Sequence, residues 1–205
     1  MNENIDVNGL INYRFCPEKS VHMGKRKRFQ KALEQLTIPI IDTDSIIKWT
    51  NEFIVEYGLA IHSGDNIVKT ENISLDDFNK KTKETYKGIT SNADLVWMKL
   101  TNDKRLGVVA CSNDINFDIP PNSDVYDKPQ KIVAGKIKSW RYNTSGILVH
   151  SVGLKWDESY VLVFPLLGLM SGKEGTKQRH DIERGIGNYL ISKNVPIIDY
   201  YSHRL

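Results

Sequence analysis

Two apolar runs, Leu95–Leu100 and residues 106–111, flank the turn-forming stretch Thr101-Asn102-Asp103-Lys104-Arg105. Apolar runs of this length around such a stretch predict a β-hairpin. An isolated hairpin is marginal in water, so the rest of the chain must cover it. With 205 residues, 40% of them hydrophobic and 26% charged, the chain is long enough to hide roughly 70% of its unfolded surface. One domain, 1–205, is expected. No run of about 18 apolar residues is present, so no membrane span is expected. The opening Met1-Asn2-Glu3-Asn4 is polar and unlike a secretory signal. Two cysteines, Cys16 and Cys111, make neither a disulfide framework nor a four-cysteine zinc site. A reducing, cytoplasmic setting is the expectation.

Around the hairpin, periodicity predicts a helix over 24–36, with Phe29, Ala32, Leu33 and Leu36 on one stripe. A short strand over 37–42 and a helix over 45–57 follow, then a helix over 74–86 capped by Ser74. Residues 118–130 read as a loop. Runs at 131–142, 147–154 and 160–167 read as a three-stranded meander. Residues 171–177 read as a loop, 178–193 as a helix in which Gly185 and Gly187 cost about 1 kcal/mol each, and 195–199 as a last strand. The expected class is α+β: a central antiparallel sheet (hairpin plus three-stranded meander) with helices contributed by both chain ends.

Charge is segregated along the chain. Six basic residues and no acid lie between 128 and 156: Lys128, Lys131, Lys136, Lys138, Arg141 and Lys155. A second basic block holds Lys25, Arg26, Lys27 and Arg28. Residues 42–78 carry eight acids and two lysines. Such a bipolar surface suits a polyanion on one side and a basic protein on the other. If 136–142 is a strand, Lys136, Lys138, Trp140 and Tyr142 share one face and Arg141 the other. Lysines neutralise phosphates, and rings stack on exposed bases at roughly 1–3 kcal/mol per base. The competing expectation turns the rings into a core, with lysine stems passing them.

Two local echoes mark candidate sites. A helix, a turn and a strand ending in Asp occur at 32–42 and again at 189–199. Asp42 and Asp44 leave the first copy at i, i+2 spacing, as hard oxygen ligands for Mg²⁺; alternatively Asp44 or Ser45 caps the next helix while Asp42 starts the turn. Asp199 ends the second copy, with His203 close behind. An apolar triplet followed by His-Ser occurs at His62 and at His150. Imidazoles at two strand ends suit a general acid and base. The pair loosely resembles the motifs of two-histidine phosphoesterases, although those place the hydroxyl two residues on, whereas Ser63 and Ser151 are adjacent. On the last helix, His180 and Glu183 at i, i+3 form a catalytic or metal-binding pair or a solvated face.

Other signatures are absent. There is no GxxxxGK[ST] loop, no GxGxxG after a strand and no HExxH, hence no sign of an organic cofactor. A restriction-type nuclease core needs an acid on one hairpin strand and acid-x-Lys on the next. The chain resembles it in Asp94 but departs in Asp114 and Asn116. The leading expectation is a nucleic-acid-acting enzyme that cleaves phosphodiester bonds, with Mg²⁺ on Asp42 and Asp44. The alternatives are a non-enzymatic immunity or counter-defence factor that docks a basic protein through 42–78, and a metal-independent phosphoesterase using the paired histidines. A homodimer is compatible with each.

Overall fold

The computed structural model describes residues 23–69, 94–112, 126–133, 136–142, 145, 148–149, 152–157 and 159–199. Among the described residues, the helices of full length are α1 (Met23–Gln35), α2 (Thr43–Glu56) and α3 (Gly172–Ser192). Six strands are β1 (Ile67–Lys69), β2 (Leu95–Leu100), β3 (Leu106–Ser112), β4 (Tyr126–Val133), β5 (Lys136–Tyr142) and β6 (Tyr160–Pro165). The main sheet is antiparallel, in the order β1-β6-β2-β3, and β4 and β5 form a separate two-stranded ribbon. The chain is α+β, with helices toward both ends of the described residues. No helix among them is long and apolar enough to cross a membrane.

The predicted hairpin is β2–β3, in register from Leu95 against Ser112 to Leu100 against Leu106, with an irregularity at Lys99/Leu100. Both of its faces are buried, which is why its strands read as near-continuous apolar runs, interrupted in β2 by Lys99. Val96, Met98, Leu100 and Val109 face a core with Ile46 and Ile54 of α2 and Ile182, Ile186 and Leu190 of α3. Trp97, Val108 and Ala110 face a second cluster with Ala32, Leu148, Val149, Trp156 and Ile198. Lys99 is buried, its Nζ 4.9 Å from the centre of the Trp156 ring. A cation over an indole face is favourable when both are desolvated. Gly107 makes this layer close: a Cβ there would lie 2.2 Å from Trp156 Cζ3.

Several expected elements differ. Residues 37–42 form no strand; Thr37 and Ile38 close turns on Glu34 and Gln35, and the chain runs out to the cap of α2. Pro39 lacks a ladder donor there. The cap is Asp42, whose Oδ1 accepts the Ser45 N–H and whose Oδ2 accepts the Ser45 hydroxyl, each at 2.8 Å. α3 starts at Gly172, so most of the expected loop 171–177 is helix. Gly175 survives in it because a Cβ would lie 1.9 Å from the Met170 carbonyl oxygen. Gly185 likewise admits the Phe53 ring of α2, where a Cβ would lie 2.3 Å from Cζ. The helix propensity it lacks is offset by helix–helix contact.

The meander is rearranged as well. The run at 131–142 is the β4–β5 hairpin, turning between Val133 and Lys136, and residues 126–130 of the expected loop belong to β4. Pro129 is tolerated in a two-stranded ribbon with register shifts on either side of it. Leu148 and Val149 are helical, not strand. That turn ends with the Leu154 N–H on the Val149 carbonyl and Gly153 at φ +80°, a Schellman-type stop. β6 inserts between β1 and β2. Residues 195–199 make a single parallel bridge, Ile197 to Leu106, rather than a strand. The expected helix at 74–86 lies outside the described residues.

Candidate functional site

One end of the main sheet gathers most of the polar chemistry. Leu95 pairs with Ser112 on one side and with Pro165 on the other. The start of β2, the end of β3 and the end of β6 therefore coincide. The amino-terminal half of α3 crosses this end. Arg179 is buried there and ion-paired to Asp94, the residue that precedes β2. One turn of helix places His180 and Glu183 on a common face, as i, i+3 spacing requires, and β3 brings Cys111 up to them.

These three side chains form a triangle. Cys111 Sγ donates to Glu183 Oε2 at 3.1 Å and lies 3.4 Å from His180 Nδ1. His180 Nδ1 lies 3.3 Å from the same carboxylate oxygen. His180 is 55% exposed and Glu183 20% exposed, so the triangle opens to solvent on the imidazole side. Burial pushes the Cys111 thiol up to about 12, and the Glu183 charge adds to this while Arg179 opposes it. The thiol is neutral at physiological pH in this arrangement, and so a poor nucleophile. Among the described residues, these three are the group whose ligand atoms converge closely enough for one metal ion.

The other expected site residues are dispersed. Asp42 is exposed, and its carboxyl is held below its ordinary value by the Ser45 N–H and hydroxyl. Asp44 is exposed in the first turn of α2. His62 lies in the segment that follows the Ala60–Leu167 bridge, and its ring folds over Gly64. The two His-Ser echoes are not a matched pair of strands, because Leu148 and Val149 are helical and Ile61–His62 is not. Asp199 is buried beside β3, where its N–H donates to the Gly107 carbonyl and its carboxylate accepts the Ser145 hydroxyl. Gly107 precedes Cys111 by four strand positions, about 13 Å, so Asp199 and the triangle are separate sites. His150 and His203 lie outside the described residues.

The basic positions fall on two elements. Lys25, Arg26, Lys27 and Arg28 lie in the first turns of α1. Lys136, Lys138, Trp140, Arg141 and Tyr142 lie in β5, opposite β4. Sequence reasoning missed Cys111, because its partners are 69 and 72 residues away. On α3, Arg179 turns inward to Asp94, and Arg184 pairs with Asp181. The signal available was Asp94, already conspicuous as an acid at the mouth of an apolar hairpin.

Comparison with protein-family models, curated proteins and solved structures found no match.

Proposed function

We propose that the protein binds nucleic acid through the β4–β5 ribbon and cleaves its phosphodiester bonds at the sheet end that carries Cys111, His180 and Glu183. One observation carries the reading: the paired strands β4 and β5 gather five cations, Lys128, Lys131, Lys136, Lys138 and Arg141, against the single acid Asp127. Cations along such a ribbon neutralise phosphates, and a duplex major groove admits a two-stranded ribbon. Trp140 and Tyr142 in the same strand add stacking surface for unpaired bases. In cleavage, water adds to phosphorus, one P–O ester bond breaks, and the leaving oxygen takes up a proton. A divalent cation belongs to the proposal, at the sheet end, since both Asp42 carboxylate oxygens are taken by Ser45 in the helix cap.

The test is a titration of single- and double-stranded DNA and RNA across salt, with gels run in chelator and in divalent cation. The ribbon strands hold five cations, Lys128, Lys131, Lys136, Lys138 and Arg141. If each meets a phosphate, log K on duplex falls with log salt at a slope of about −4.5. Lys136→Ala with Lys138→Ala lowers the slope by about 2. Cation-dependent cleavage supports the catalytic half, and binding without cleavage removes it. An unchanged slope in the double variant removes the ribbon, and no binding at all moves the assignment to a protein partner for the acidic segment 42–78.

A further inference from the structure

The triangle at the sheet end has the dimensions of a metal site. We infer that Cys111, His180 and Glu183 are three ligands of a single Zn²⁺-class ion, with the fourth position open to water or substrate. Tetrahedral zinc with bonds of about 2.3 Å to sulfur and about 2.0–2.1 Å to nitrogen and oxygen sets its ligand atoms roughly 3.3–3.6 Å apart. The three separations here are 3.1, 3.3 and 3.4 Å. Movements of a few tenths of an ångström bring the three separations to those values.

The donor set selects the metal. A thiolate and an imidazole favour a borderline-soft ion over Mg²⁺, which takes oxygen ligands in near-octahedral geometry. A thiolate and a carboxylate balance the two charges of the ion, so no further acid is needed. Two ligands lie one helical turn apart on α3 and the third on β3, both held by the core beneath. Such rigid elements fix ligand geometry better than loops do. Arg179, ion-paired to Asp94 behind the triangle, lies beside the Cys111 thiol as well. Three protein ligands and one open position define a catalytic rather than a structural zinc site. The inference goes beyond the nucleic-acid reading and stands without it.

Metal content of the full chain, stripped with chelator and dialysed against Zn²⁺ or Mg²⁺, tests it. The expected result is one Zn²⁺ per chain and no retained Mg²⁺, with Co²⁺ in place of Zn²⁺ giving a thiolate-to-cobalt charge-transfer band. Cys111→Ser abolishes that band. His180 is exposed on α3, so His180→Ala keeps the fold, as circular dichroism checks, and weakens Zn²⁺ binding by at least about tenfold. Asp42→Asn leaves uptake unchanged. Substoichiometric Zn²⁺, uptake unaffected by His180→Ala, uptake lost in Asp42→Asn, or Co²⁺ bound without the thiolate band would each overturn the inference and leave a hydrogen-bonded triangle. No readout involves nucleic acid, so failure here and failure of the ribbon are separate results.

Discussion

The Arg179–Asp94 pair joins α3 to the start of β2, and removing its cation should be costly in a measurable way. The two side chains are 9% and 13% exposed, so neither charge is well solvated. Arg179→Met deletes the guanidinium and keeps most of the buried volume. Breaking a buried pair by removing one partner costs about 3–5 kcal/mol, because the remaining charge is stranded. Arg179 Nε is itself buried without a hydrogen-bond partner. The native pair therefore already bears part of a desolvation cost, which places the loss near the lower bound, about 3 kcal/mol. For a chain of this size that lowers Tm by roughly 6–12 °C. The companion variant, Arg179→Met with Asp94→Leu, removes both charges. It should recover to within about 1 kcal/mol of the native protein, since an apolar pair of similar volume often matches a buried ion pair. The Asp94 carbonyl still accepts the Leu166 N–H, so the backbone anchor survives. Urea unfolding with an unchanged m-value reads both quantities. A single-variant loss under about 1 kcal/mol, or a double variant whose losses simply add, would refute the account of this pair as a desolvated tie.

Two further outcomes follow from the same packing. Gly107→Ala should cost about 1–3 kcal/mol by overpacking, because the new methyl meets the Trp156 ring; Trp156→Phe in the same chain should recover part of it, by urea unfolding. Burial pushes the Asp157 carboxyl up, but hydrogen bonds from Lys104 and Ser159 outweigh burial and hold it below its ordinary value. Its folded pKa is then the lower one, so its stabilisation is present above the ordinary carboxylate range and is lost as pH falls below about 4. Asp157→Asn should cost about 1–2 kcal/mol at neutral pH and flatten the acid limb of stability against pH.

The hairpin and the amphipathic helices were legible because their signals are local. Ile46, Thr50 and Ile54 recur at helical spacing and are the buried face of α2. The run at 147–154 was not legible, because a short apolar stretch has no period that separates strand from helix; a glycine stop at Gly153 settled it. The start of α3 was hidden by Gly172 and Gly175, which look like breakers until Met170 is seen packed against one of them. At the sheet end, the sequence offered His180 with Glu183 at the right spacing. It could not offer Cys111, whose place depends on how far β3 runs under α3. Asp199 looked like a strand-end acid facing a ligand. Its backbone pairing with Gly107 makes it part of how residues 195–199 attach to β3.

That attachment has a consequence for the order in which the protein is built. β3 is the outer strand of the main sheet, and the parallel bridge from Leu106 to Ile197 covers part of its free edge. The two partners are 91 positions apart (197 − 106). A ribosome adding about 5–20 residues per second leaves the strand uncovered for roughly 5–18 s, with α3 also still unmade. The nascent hairpin meets the cell with its backbone edge open and is closed by the last described segment to emerge.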